Sequence, residues 1–214
     1  MAWHRLEGLR TVGPGAFVLS FRRDGFAFRA GQHATLELPG HGQRAYSIYS
    51  GTGEPHLEFL VREVQGGQVS PALGRLAPGT EVPIRGPGGV LVLEPGWVGR
   101  ERFLFVATGT GLAPFHAMVR SHPGLDWRLV HGVRHDDERY EAGHYPAERL
   151  VSCVTRGASP DTYRGRVTDW LRQASIAAGT RCFLCGNARM IEDATDLLLG
   201  RGVPPSHVQS EVYF

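Results

Sequence analysis

Along the first 95 residues the apolar positions come in short bursts. FVLSFR (17–22), HATLEL (33–38), AYSIYS (45–50), HLEFLVREV (56–64), EVPIRG (81–86) and VLVL (90–93) are rich in β-branched and aromatic residues. Turn-forming pieces separate them: Gly13-Pro14-Gly15, Arg23-Asp24-Gly25, Pro39-Gly40, Gly51-Thr52-Gly53, Pro78-Gly79 and Gly86-Pro87-Gly88-Gly89. Many short strands at this spacing predict an antiparallel β-barrel. One short helix is predicted over 70–76, with Ser70 as its N-cap and Pro71 as its first residue.

After Glu94-Pro95-Gly96-Trp97 the period changes. RFLFVAT (102–108) is a nearly unbroken apolar run, and GTGLAPFHAMVRS turns from it into a helix. WRLVHGV, RLVSCVT and RCFLCG read as further strands, VTDWLRQAS and ARMIEDATDLLLGRG as helices, and SEVYF ends a last strand. Continuous apolar strands alternating with helices predict a parallel sheet covered on both faces. The pattern therefore divides the chain into an antiparallel β-barrel domain, 1–97, and an α/β parallel-sheet domain, 98–214.

Composition narrows the classes. A chain of 214 residues accommodates two domains of about 100 residues, and no apolar run is long enough to span a bilayer. The first residues, MAWHRLEGLR, lack the apolar core of a signal peptide. Three cysteines do not make a disulfide scaffold, so a reducing cytoplasm is expected, without membrane association. A net charge of +2 implies no general affinity for nucleic acid. The 23 basic residues are all arginine, whose planar fork suits phosphates and carboxylates. His131 and His135 are four apart, but across a strand end and a loop, and no spacing suits a metal.

Four places carry candidate chemistry. In the strand containing Arg44-Ala45-Tyr46-Ser47, Arg44 and Tyr46 share one face and Ala45 and Ser47 the other. A cation for a phosphate, an aromatic face for a flat ring and a hydroxyl for a ring nitrogen suit a flavin nucleotide. The same residues also suit an ordinary half-exposed strand. Thr108-Gly109-Thr110-Gly111-Leu112-Ala113-Pro114 follows a strand and opens a helix, where free amides favour an anion; such glycines can equally be structural. Arg134, Arg156 and Arg166 follow strands or precede a helix, and are either phosphate ligands or solvated loop residues. Cys185-Gly186-Asn187 ends a strand, with Asn187 as helix N-cap. Cys182 and Cys185, three apart in one strand, lie on opposite faces, which argues against a redox or zinc pair.

RAYS, GGQVSPALGRL, GTGLAP, LCGNARMI and the terminal EVYF occur in the order seen in ferredoxin–NADP(+) reductases. The chain resembles that family, in its bacterial FAD-containing form, over essentially its whole length. The resemblance implies an FAD-binding β-barrel followed by an NADP(H)-binding α/β domain. It implies that Arg44 holds the flavin pyrophosphate, that Ala45 is cofactor-binding beside it, that Tyr46 stacks on the isoalloxazine, and that Ser47 hydrogen-bonds N5. Val61, Arg62, Glu63, Gln68, Val69 and Ser70 would complete the pyrophosphate site, at the start of the short helix. Thr110 and Gly111 would take the NADP pyrophosphate, and Arg134, Arg156 and Arg166 the ribose phosphate. Cys185 and Glu211 would lie by the nicotinamide, Tyr213 over the other flavin face, and Phe214 against the FAD adenine. The implied activity passes electrons between NADP(H) and a one-electron carrier, ferredoxin or flavodoxin, by hydride transfer at N5. The alternative is the NAD(P)H-dependent reductase component of an oxygenase or other electron-transfer complex. A monomer is expected, with Arg5, Arg22, Arg23, Arg62 and Arg100 as candidates for meeting an acidic carrier.

Overall fold

A computed structural model of the chain describes residues 2–213. The elements in order are β1 (Ala2–Gly13), β2 (Ala16–Arg22), β3 (His33–Leu38), β4 (Gly42–Ser47), β5 (His56–Arg62), α1 (Val69–Leu73) and β6 (Glu81–Gly88). They continue with β7 (Arg102–Thr108), a 3-10 turn (Gly109–Leu112), α2 (Ala113–Ser121), β8 (Asp126–Val133), β9 (Leu150–Val154) and β10 (Tyr163–Arg164). The last are α3 (Val167–Gln173), β11 (Arg181–Asn187), α4 (Ala188–Gly200) and β12 (Val208–Tyr213). Two compact units form: Met1–Val92 with Ala113–Ser121, and Leu93–Leu112 with His122–Phe214.

The first unit is an antiparallel sheet in the order β4-β3-β6-β1-β2-β5. Just past β4, Ile48 bridges Phe59 of β5, so the two edge strands meet and the sheet closes on itself. Closure removes exposed sheet edges. Alternation puts Ala34, Leu36 and Leu38 of β3 inward, with Leu6, Leu19, Phe21, Ile48, Phe59 and Leu73. Phe21 meets Phe59 edge to face at 6.0 Å. Helix α2 belongs to this unit: His116 stacks on the buried Tyr49 ring at 3.9 Å, and Ser121 Oγ accepts the Thr52 N–H at 2.9 Å.

The second unit is a parallel sheet in the order β10-β9-β8-β7-β11-β12. Both faces of β7 and β11 are buried, which is why these strands read as unbroken apolar runs. Leu104, Val106, Val130, Cys182 and Leu184 face Val167, Leu171, Ile191, Ala194 and Leu198. The opposite face carries Phe103, Phe105 and Phe183, with Phe103 and Phe183 edge to face at 5.6 Å.

Several expectations change. The strand expected over 45–50 is β4, Gly42–Ser47; pairing with β3 starts at Gly42 opposite Leu38, immediately after the turn. The run 90–93 is not a strand: Leu91, Val92 and Leu93 are buried as irregular chain. Strand β1 was not anticipated, because register shifts between Leu6 and Gly8 and between Thr11 and Gly13 break its alternation. Ser70 does not cap α1. It is the second helical residue, and its hydroxyl accepts the Val64 N–H at 3.0 Å; Gln68 stands at the N-cap position with no side-chain bond.

Candidate functional site

In the first unit β4 lies beside β3 and helix α1 packs against both strands. Arg44 is exposed, and its Nη1 donates to the neighbouring Gln43 carbonyl at 2.8 Å. Ala45 is exposed opposite Thr35, and Tyr46 is half-buried opposite Ala34. Burial pushes the Tyr46 hydroxyl up to about 12, against the opposing pull of the Arg44 charge. The phenol is therefore neutral and offers a ring face. Ser47 is buried where β4 ends, opposite His33.

The remaining flavin candidates divide by burial. The side chains of Val61 and Val69 lie in the barrel core and that of Ser70 is tied to Val64, so a ligand would meet these three through backbone alone. Arg62, Glu63 and Gln68 are exposed, and the Glu63 N–H is given to the Gly15 carbonyl at 2.8 Å. First-turn amides of a helix have no intrahelical partner. Arg44 on β4 and the first-turn amides of α1, which packs on that strand, are donors of the kind a pyrophosphate takes. Phe214 lies outside the described residues. Arg23 leaves the set of carrier candidates, because its guanidinium holds the carbonyls of Phe26 at 2.8 Å and of Thr52 and Glu54 within the unit.

In the second unit the chain order turns around at β7: β8 and β9 lie on one side, β11 and β12 on the other. The crevice outside the carboxyl ends at such a reversal is where parallel sheets take ligands. The glycine turn sits there. A Cβ on Gly111 would collide with the Cys185 carbonyl, and one on Gly186, whose φ is +136°, would collide with the Thr108 hydroxyl. These two glycines let the ends of β7 and β11 touch, and the Asn187 N–H donates to Thr108 Oγ1 at 3.0 Å. Asn187 also caps α4, accepting from the Met190 N–H at 3.3 Å as expected.

Behind the turn is a histidine to which the sequence assigned no role. His131 is buried, and its Nε2 lies 2.8 Å from the Gly109 carbonyl. Burial drives its pKa down to about 4, outweighing that hydrogen bond and the Glu138 charge, which raise it. A neutral imidazole facing a carbonyl must carry its proton on Nε2 and donate it. The Gly109 carbonyl is thereby held toward the sheet.

The sheet order brings Arg134, Arg156 and Arg166 together: they follow β8, β9 and β10, three adjacent strands. All three are exposed. The Arg156 N–H donates to the Arg134 carbonyl at 2.7 Å, and the Arg166 N–H to Asp169 Oδ2 at 2.9 Å. Asp161, on the same loop as Arg156, is held down to about 2 by hydrogen bonds from Ser159 and Arg139. At the other side of the switch, Cys185 is opposite Glu211 and Asn187 opposite Tyr213. Burial pushes the Cys185 thiol well up and the Glu211 carboxylate adds to this, while a hydrogen bond with Tyr213 opposes it. Cys185 is thus a neutral, compact wall residue. From β9 to β11 is three strand spacings, about 14 Å. Across that span lie cations, an amide-rich turn and the Cys185–Glu211 pair, an arrangement that fits an extended dinucleotide.

An oxidoreductase FAD-binding domain model matches residues 15–92, and an oxidoreductase NAD-binding domain model matches residues 105–196. The chain is 34% identical to ferredoxin–NADP reductase B of Sorangium cellulosum, covering 98% of this chain and 96% of that one. The chain belongs to the ferredoxin–NADP reductase family. It is also 30% identical to the toluate 1,2-dioxygenase electron transfer component of Pseudomonas putida, over 97% of this chain and 66% of that protein. The crystal structure of a Neisseria gonorrhoeae ferredoxin NADP+ reductase with bound FAD and NADP shares the fold. Its TM-score is 0.88 at 22% identity, over 100% of this chain and 98% of that one. The antiparallel barrel is thus this family's FAD-binding fold, and the parallel sheet its NAD(P)-binding fold. Among the described residues no helix is long and apolar enough to cross a membrane.

Proposed function

We propose that this flavoprotein is an NADPH-dependent ferredoxin–NADP(+) reductase working with a separate one-electron carrier. The observation that carries the reading is the order of features at the carboxyl ends of the parallel sheet. Three arginines end β8, β9 and β10, the glycine turn ends β7, and Cys185, Glu211 and Tyr213 end β11 and β12. A nucleotide with a phosphate on its ribose needs cations at that end, and Arg134, Arg156 and Arg166 follow the three strands there. An acid aimed at a ribose hydroxyl would favour NADH. Here Asp161 is engaged by Arg139, and Asp169 by the Arg166 amide and by Arg172.

The chemistry FAD supplies when bound is the exchange, at N5, of a hydride for single electrons. The residues bind and orient. Arg44 and the first turn of α1 hold the flavin pyrophosphate, Tyr46 lies on the isoalloxazine, and Ser47 donates toward N5. Thr110 and Gly111 offer amides to the NADP pyrophosphate. Cys185 and Glu211 flank the nicotinamide, and Tyr213 covers its place between turnovers. The carrier is taken to be an acidic ferredoxin or flavodoxin meeting exposed arginines such as Arg5, Arg62 and Arg100. We place the protein in the cytoplasm, as a monomer, with Cys153, Cys182 and Cys185 as free thiols.

The likeness to the toluate dioxygenase component supports a second reading, the reductase arm of an oxygenase. These 214 residues hold three cysteines, one fewer than a four-thiolate iron–sulfur cluster takes, so in that reading too the acceptor lies outside these residues. Steady-state ferricyanide reduction with NADPH and with NADH tests the proposal. A clear NADPH preference is expected; a preference for NADH removes the role given to the arginines, and no turnover with either removes the reductase reading. Purified candidate carriers then separate the two physiological assignments.

A further inference from the structure

We propose that the buried carboxylate of Glu138 is a positioning group that sets the preference for a 2′-phosphorylated nucleotide, by fixing the backbone from which Arg134 and Arg156 project. The inference rests on the NADP(H) reading above and goes beyond it, to a residue that is not itself a ligand.

Arg134 is the first residue past β8. Its N–H and that of His135 both donate to Glu138 Oε2, each at 2.9 Å. Its carbonyl accepts the Arg156 N–H at 2.7 Å. The peptide groups on both sides of the Arg134 side chain are therefore held, and the second bond ties the Arg156 backbone into the same frame. Further bonds join the two loops: the Thr155 N–H to the Val133 carbonyl at 3.2 Å, and the Ala158 N–H to Asp136 Oδ2 at 3.0 Å. Glu138 anchors this frame, and it is only 6% exposed.

A carboxylate so near a phosphate site would normally repel the ligand. Here the charge is drawn inward, and one oxygen is matched by two amides, which are strong donors to an ionised acceptor. A buried carboxylate without such partners would be strongly unfavourable, so the two amides and the carboxylate require one another. Long arginine side chains read a phosphate well only when their stems start from a fixed place, because each ordered rotamer opposes binding. A frame that fixes both stems reduces that opposition for the phosphorylated nucleotide alone. AMP and NADH, which lack the 2′-phosphate, would not sense it.

The test uses the FAD-loaded protein and its Glu138→Ala and Glu138→Gln variants. Calorimetry measures binding of 2′-phospho-AMP and of AMP, and ferricyanide assays give kcat and KM with NADPH and NADH. Glu138→Ala should weaken 2′-phospho-AMP by about tenfold while leaving AMP unchanged. It should lower the NADPH to NADH ratio of kcat/KM by a similar factor, through KM. Glu138→Gln, of equal volume with one neutral acceptor, should lose about half of that effect on a logarithmic scale. If Glu138→Ala does not fold, Glu138→Gln decides alone, and a wild-type preference in it overturns the proposal. Equal weakening of both nucleotides overturns it too, since that marks a structural role. A wild-type protein that does not discriminate 2′-phospho-AMP from AMP defeats the NADP(H) reading instead.

Discussion

The clearest quantitative test concerns His131. Its folded pKa is about 4, against 6.5 for an unperturbed histidine. The unfolded chain therefore binds a proton through a range where the folded chain does not. Stability is fully retained above pH 6.5 and falls as the pH drops toward 4. The full difference is worth about 3 kcal/mol, of which about 2 kcal/mol is lost between about pH 7.5 and about pH 5. His131 is one of many ionisable groups in the chain, so the wild type alone does not isolate this contribution. Comparison with His131→Gln does. The glutamine amide still donates to the Gly109 carbonyl but carries no titrating group. At neutral pH the variant should be less stable by about 1 kcal/mol, from poorer packing and a weaker hydrogen bond. At about pH 5 the order should reverse by about 1 kcal/mol, because only the wild type has lost the proton-linked part. Urea unfolding followed by tryptophan emission measures this, since Trp97, Trp127 and Trp170 all lie in the parallel-sheet unit. Parallel pH profiles for the two proteins would refute the reasoning.

Arg156→Ala should raise KM for NADPH about tenfold to a hundredfold, from lost charge-assisted hydrogen bonds, with kcat and the NADH constants little changed; equal loss with NADH counts against the assignment. Tyr213→Ser should tighten NADP+ binding and produce a long-wavelength absorbance band, since the tyrosine no longer competes for the slot beside Cys185; an unchanged affinity and spectrum contradict that role. Gly111→Val should lower the unfolding midpoint by several degrees, because its side chain meets the Cys185 carbonyl; a neutral effect in thermal unfolding would mean the two strand ends do not touch as described. Reduction of an acidic carrier should slow steeply as salt rises from low to physiological ionic strength, and a salt-independent rate would remove the arginine contacts from the carrier reading.

Much of this protein was legible in its sequence because the signals are local. Period-two bursts between Gly and Pro turns define the barrel, and unbroken apolar runs followed by helices define the parallel sheet, since each period states how many faces of an element are buried. Strands β2 and β3, the glycine turn after β7 and the Asn187 cap need only neighbouring residues to form. Where pairing rather than pattern decides, the sequence misled. Bulges hid β1, and VLVL is buried without being a strand. The sites divide the same way. Arg134, Arg156 and Arg166 are distant in the chain and become one set only because β8, β9 and β10 are adjacent in the sheet. Cys185 meets Glu211 through the β11–β12 register. Glu138 and His131 look like any loop acid and any strand histidine. Their roles follow from burial beside particular backbone groups, a property that long-range packing creates and no short stretch of residues encodes.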